Sequence, residues 1–253
     1  MSIREGYVEE IHQRLAALGA GIPEVLLPRQ GINLDKWAVI ACDQFTQDGH
    51  YWDRVRHIVG TDPSALNLIF PEIYLGGEDR EQRVRDIHRT MEAYLREGVF
   101  APSRRGCIYT ERRTPLHPLR RGLVFTIDLE QYDWAPQARP LIRSTEGTVP
   151  ERLPPRMEIR RGALLEIPHI LLLIDDEEDR LLPGLAARAK GKPPLYDASL
   201  MLDAGGVRGW LLDREEDWAY LAGGLEDLAR KAETRYGQRD ERPFLYAVGD
   251  GNH

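Results

Sequence analysis

Cysteine is scarce: only Cys42 and Cys107 occur in 253 residues, far apart and at no metal-ligand spacing. That pattern excludes a disulfide-dense secreted scaffold and a cysteine-based zinc site, and it fits a reducing compartment. Long apolar runs are absent as well. The longest aliphatic stretch, Ile170 to Ile174, falls far short of the ~20 residues that cross a bilayer. The start, Met1-Ser2-Ile3-Arg4-Glu5, lacks the apolar stretch of a signal peptide. Together these absences predict a cytoplasmic protein with no membrane partner. Cationic excess is missing too: the formal charge is -7, so a nucleic-acid surface, which must neutralise phosphates, is not expected. No Gly-x-Gly-x-x-Gly follows a strand and no Gly-x-x-x-x-Gly-Lys-Ser/Thr loop is present, which argues against a dinucleotide-binding fold and a Walker loop. Internal repeats and low-complexity tracts are lacking.

What remains is an ordinary globular composition, 42% hydrophobic and 30% charged. The length allows one large domain or two small ones. One domain over 1–253 is the expectation, with a subdivision near 130–165 as the alternative. Val8, Ile11, Leu15 and Leu18 recur at helical spacing ahead of Gly19, and Val84, Ile87, Met91 and Leu95 do so ahead of Gly98. A shorter helix is expected over Tyr51 to Val59 and a long one over roughly Glu215 to Tyr236, interrupted or weakened at Gly223-Gly224. The run Trp37 to Cys42 reads as a buried strand, as do Cys107 to Thr110, Leu123 to Leu129, Ile170 to Ile174 and Phe244 to Val248. Leu200 to Leu202 and Val207 to Leu212 read as a hairpin across Ala204-Gly205-Gly206. Pro150, Pro154 and Pro155 argue against a continuous helix in 133–162. Strands that come both singly between helices and as hairpin neighbours predict an α/β (α+β) fold with a mixed sheet flanked by helices.

Two segments carry the polar chemistry. Between residues 139 and 161, six arginines (Arg139, Arg143, Arg152, Arg156, Arg160, Arg161) alternate with Glu146, Glu151 and Glu158. Guanidinium forks hold carboxylates and phosphates in bidentate fashion, and a glutamate among them can accept a hydroxyl proton. The plainer alternative is a solvated loop laced with surface ion pairs. The second segment is the final turn, Gly249-Asp250-Gly251-Asn252-His253. If a helix followed it, the backbone N–H groups there would favour an anion, Asp250 would suit a metal or a hydroxyl, and His253 a phosphate oxygen. The plainer alternative is a strand-exit turn with Asp and Asn chosen for geometry. A buried strand that enters a turn ordinarily leads to a further element, so the chain is expected to be truncated. His169 at a strand entrance reads as a structural histidine, Asp175-Asp176 as an acidic turn that could instead hold Mg²⁺, and Arg104-Arg105, Arg112-Arg113 and Arg120-Arg121 as exposed pairs.

Read together, Trp37 to Gln47, Asn67 to Leu75, Arg143 to Arg160, Glu166 to Asp176 and Gly249 to His253 resemble the domain-of-unknown-function family 1015, in the same order and over nearly the whole chain. Members of that family run on past the GDGNH motif into a helix. More distantly, Asp250, Gly251 and His253 are similar to the phosphate-contacting Asp-Gly-His-His-Arg motif of the partition-protein-B/sulfiredoxin-like superfamily, with Asn252 in place of the first histidine. That superfamily includes kinases of free serine. The resemblance implies such a core with insertions, and a nucleotide-dependent phosphotransferase that uses ATP or ADP with Mg²⁺. Its acceptor would be a small hydroxylated metabolite. Glu146 would be the base and Asp43 would position the substrate. Arg143, Thr145, Arg152 and Arg156 would hold carboxylate or phosphate. Gly251 and His253 would contact the nucleotide phosphates, with Asp250 at the metal. The alternatives are a metabolite or nucleotide sensor without turnover, and a phosphohydrolase.

Overall fold

The computed structural model describes residues 3–135, 138–167, 170–236 and 242–250, the side chains of Ile3 and Asp250 excepted. In chain order the elements begin with helix α1 (Ile3–Ala17), the short strands β1 (Ala20–Gly21) and β2 (Glu24–Val25), and helices α2 (Leu34–Trp37), α3 (Gly49–Val59) and α4 (Arg80–Arg96). Strands β3 (Arg104–Arg105), β4 (Cys107–Arg113), β5 (Arg120–Val124), β6 (Thr126–Ile127) and β7 (Ile142–Ser144) follow, then helix α5 (Leu153–Arg160), strand β8 (Leu171–Leu173) and helix α6 (Leu181–Ala189). The last are β9 (Tyr196–Ser199), β10 (Gly206–Leu212), helix α7 (Glu215–Tyr236) and β11 (Tyr246–Asp250).

The larger sheet is antiparallel, in the order β5-β4-β10-β9. Its central pair runs from Cys107↔Leu212 to Arg113↔Gly206. Alternation along β4 buries Cys107 and Tyr109 against α6 and α7. A second sheet of three strands is mixed: β11 lies between β7, parallel to it, and β8, antiparallel. The structure is thus an α+β fold of small sheets flanked by helices, as the pattern predicts. α1 crosses α7, where Ile11 and Leu15 are fully buried and Arg14 holds Glu226 through two bonds of 2.7 and 2.8 Å. α7 is unbroken. Gly224 is needed not as a breaker but for close approach, because a Cβ there would stand 2.6 Å from Leu181 Cδ1 on α6. In the first turn of α7 the buried Asp217 carboxylate is held by Arg214 at 3.2 and 3.1 Å, at the end of the helix that favours negative charge.

Two smaller cores complete the molecule. One surrounds α3, with Tyr51, Trp52, Val55, Val59, Leu66 and Met201; Asp48 caps the helix by accepting from Tyr51 N at 3.2 Å. The other surrounds α4, with Leu68, Phe70, Ile87, Met91 and Val99. Ser64 stitches them: its Oγ donates to Lys36 O at 2.7 Å and its N–H to Tyr94 Oη at 3.1 Å.

Three local expectations are corrected. Trp37 to Cys42 is not a strand. Asn33 caps the single turn of α2 through its Oδ1, after which the apolar residues divide: Trp37 packs in the α4 core, Val39 and Ile40 in the α3 core. The run is apolar because it feeds two cores, not because it crosses a sheet. The strand at 171–173 exists but is not buried: it is an edge, with Leu171 44% and Leu173 51% exposed. As the prolines predict, no continuous helix runs through 133–162; Pro154 and Pro155 occupy the first turn of the short α5, where proline loses no hydrogen bond. Leu95, expected on the core face of α4, is 40% exposed, and Tyr94 takes the buried place. Among the described residues no helix is long and apolar enough to cross a membrane.

Candidate functional site

The parallel pair β7–β11 decides where the two polar segments meet. Its register is Ile142↔Tyr246, Arg143↔Ala247 and Ser144↔Val248, so both strands point their carboxyl ends to the same edge. Just beyond, Thr145 donates through N and Oγ1 to Val248 O, at 3.3 and 2.7 Å. Glu146 follows and is exposed. Thr145, Glu146 and the backbone of Gly249 and Asp250 therefore share one edge. Thr148 Oγ1, a few residues on, is buried without a hydrogen-bond partner among the described residues. The Asp250 side chain, Gly251, Asn252 and His253 lie outside the described residues, as does His169.

Arg143 faces the other way. Its Nε donates to Pro140 O at 3.1 Å, its Nη2 to Arg242 O at 3.5 Å, and its guanidinium stands 4.8 Å from the Phe244 ring centre. These partners precede the two strands, so the charge sits at their amino ends and not beside Glu146.

A second cluster forms around Cys42. Proline-started α5 carries Arg156, whose Nη1 donates to Arg152 O at 2.9 Å and whose guanidinium pairs with Glu72. Glu72 N–H in turn donates to Cys42 O at 2.8 Å. Burial pushes the Cys42 thiol up to about 11, helped by the neighbouring Asp43 and Glu72 charges and opposed by Arg156. Asp43, half-buried, accepts from Gln44 Nε2 at 3.3 Å. The structure thus brings Asp43 and Arg156 together through Glu72, a residue the sequence reading passed over. Its only signal was the Pro71-Glu72 interruption of the apolar run 68–75. Arg152 is exposed on the turn before α5, and among the described residues its side chain makes no bond to either cluster. The segment 145–153 links the two clusters.

Cys107, fully buried, has its thiol pushed up to about 12 by burial alone. Neither thiol is ionised near neutrality, and the thiolate is the nucleophile. Labelling at pH 8 with a thiol-reactive disulfide is therefore expected to be slow for both cysteines in the native protein and complete in denaturant. Fast native labelling of Cys42 would contradict the packing around it.

Among the described residues no group of three or more His, Cys, Asp or Glu is placed to hold a metal ion. Asp175-Asp176 is spent structurally: Asp175 accepts from Tyr236 Oη at 2.8 Å and pairs with Arg235, while Asp176 accepts from Arg180 N and Leu181 N at 2.9 and 2.8 Å. Two surface clefts, of about 210 and 260 Å³, lie around Tyr74 and between α6 and α7; of the residues singled out in the sequence only Asp176 lines one of them, the second.

The class these features define is a small-sheet α+β protein with Glu146 just beyond the carboxyl end of β7 in a parallel pair and an ion-paired Arg156 on the short helix that follows. The family described as protein of unknown function (DUF1015) matches residues 26–253, and the chain belongs to it. No curated protein and no solved structure matches the chain.

Proposed function

We propose that the protein is a nucleotide-dependent phosphotransferase acting on a small hydroxylated metabolite, an amino acid of the serine type being the simplest candidate. The observation that carries this reading is the common edge of β7 and β11, with Glu146 just beyond β7 and the backbone of Gly249 and Asp250 ending β11. Open sheets with parallel strands bind ligands just outside those carboxyl ends, and a glycine turn there offers backbone N–H groups to phosphate. The likeness of Asp250-Gly251-x-His253 to a phosphate-contacting motif supports the same assignment.

In this reading ATP or ADP enters as its magnesium complex, the cation arriving with the substrate, because the described residues build no cage for it. Gly251 and His253 receive the phosphates and Asp250 faces the cation. The acceptor hydroxyl attacks the terminal phosphorus. A new O–P bond forms, the bridging P–O bond to the nucleotide breaks, and Glu146 takes the hydroxyl proton. Arg156, with Asp43 and Arg152, holds the acceptor's charged groups. Positioning and charge neutralisation carry most of phosphoryl transfer, so such a set is sufficient chemistry. Arg143, bound to carbonyls at the amino ends, supports the loop and not the transferred group.

The test is direct. Magnesium with ATP or ADP is incubated with the protein and a panel of hydroxylated metabolites, and nucleotide conversion is followed by chromatography. One acceptor is expected to give equal amounts of phosphorylated product and of nucleotide shortened by one phosphate. Conversion without acceptor would identify a phosphohydrolase, and binding without conversion a sensor; either ends the phosphotransferase reading.

A further inference from the structure

The far face of the antiparallel sheet holds a cationic cluster that the phosphotransferase reading does not use. Arg112 on β4 and Arg120 on β5 stand directly opposite each other in register. Like charges so placed repel, whereas three other cations on or beside this sheet have partners: Arg121 meets Asp179 at 3.5 Å, Arg208 meets Asp197 at 2.7 Å and Lys190 meets Glu111 at 2.5 Å. Among the described residues Arg112 has no such partner. Its Nη1 is pinned to the carbonyls of Arg113 and Gly206, and the charges acting on it are Arg120 and the Tyr51 phenol. Burial and Arg120 hold its guanidinium below the usual arginine range. Arg54, one turn along α3 from Tyr51, acts on the same phenol. Arg54 and Arg112 thus both act on Tyr51, Arg120 stands beside Arg112, and none of the three has a carboxylate in ion-pair range among the described residues, in a chain whose net charge is negative. Asp203, on the neighbouring β9–β10 connection, is exposed and pairs with none of them.

A second, independent feature abuts this cluster. Phe45 lies flat on Tyr51, ring centres 3.8 Å apart and planes within 6°. Its φ is +53°, a left-handed conformation that is a genuine outlier for a bulky residue. The ring is nevertheless 46% exposed. Strain of this kind persists where the surroundings hold it in place, and it clusters at ligand sites. Here it presents one aromatic face to Tyr51 and leaves the other to solvent. An open aromatic face beside uncompensated guanidiniums suits a flat heterocycle joined to an anion: the heterocycle stacks and the guanidiniums take phosphate.

We infer that Phe45, stacked on Tyr51, together with Arg54, Arg112 and Arg120 forms a nucleotide-binding site, with the base on Phe45 and the phosphates on the arginines. The site is built from residues other than those at the β7–β11 edge and stands or falls apart from the phosphotransferase reading.

The experiment is calorimetric titration with ADP, adenosine and ribose 5-phosphate. ADP binds more tightly than either fragment, and its affinity falls with added salt. Arg120→Gln, which removes a charge without breaking a backbone bond, weakens ADP about tenfold. Phe45→Asn, whose side chain tolerates positive φ, also weakens ADP about tenfold while leaving ribose 5-phosphate unchanged. Arg112→Lys retains most of the affinity. Arg208→Gln, which removes an equal charge from the opposite face of the same sheet, leaves it unchanged. Ribose 5-phosphate binding as tightly as ADP, ADP affinity lost in Asp250→Asn but not in Arg120→Gln, or no ADP binding at all would each overturn the inference.

Discussion

Glu146→Gln is expected to abolish turnover for practical purposes, lowering it about 10²- to 10⁴-fold, the range a general base contributes. The substitution keeps the shape and hydrogen-bonding reach of the side chain and removes only its capacity to accept a proton. Because Glu146 is exposed beyond β7 and makes no bond within the described residues, the fold has nothing to lose, and melting temperature is expected to stay put. Acceptor KM should move little, since the amide can still donate to or accept from the hydroxyl. The contrast is with Thr145→Val. That change deletes the 2.7 Å bond to Val248 O, loosens the pairing that sets the edge, and acts on stability as well as rate. A Glu146→Gln enzyme with turnover within a few-fold of wild type would remove the base from the proposal, and with it the significance of the β7–β11 edge.

Trp52→Ala should be the most destabilising single truncation in the α3 core, costing about 3–5 kcal/mol. Trp52 is fully buried, meets Tyr51 edge to face at 5.3 Å, and fills the space among Val55, Val59, Leu66 and Met201. At the usual scale for a chain of this size the melting temperature falls roughly 6–20 °C. Trp52→Phe supplies the check on mechanism. The indole N–H is buried with no partner among the described residues, so deleting it recovers part of a desolvation penalty while most of the ring contact survives. Phe should therefore cost far less than its lost volume alone suggests. Thermal or urea unfolding of both variants measures this. A phenylalanine variant as unstable as the alanine one would mean the indole nitrogen is satisfied after all.

Much of the architecture could be read in advance because local pattern and tertiary burial agree. α1, α4 and α7 follow their apolar spacing, and the predicted limits of α7 match its observed ones. The misreadings fall where one apolar segment serves two packing surfaces, as with Val39 and Ile40 against Trp37, or where an aliphatic run lies on a sheet edge, as at Leu171 and Leu173. Periodicity counts apolar residues and does not say which neighbour covers them. The convergence of Thr145 and Glu146 with the backbone of Gly249 and Asp250 follows from a parallel pairing across about a hundred residues, and no local signal encodes it. Glu72 and the Arg112/Arg120 opposition were hidden for the same reason. Each becomes a feature only once register or a distant helix supplies its partner, and in sequence each is one charge among many.

The pairing of β4 with β10 joins residues 107–113 to 206–212, and this has a consequence for how the chain reaches its native state. On a ribosome, the first half of that strand pair emerges long before its mate exists. Closing so large a loop comes late, since its entropy must be spent before any contact rewards it. Until then, the apolar side of β4, with Cys107 and Tyr109, has no native cover from β10 or α7 and is open to chaperones or to neighbouring nascent chains. Synthesis rate and holdase supply, more than final stability, should set the yield of active protein.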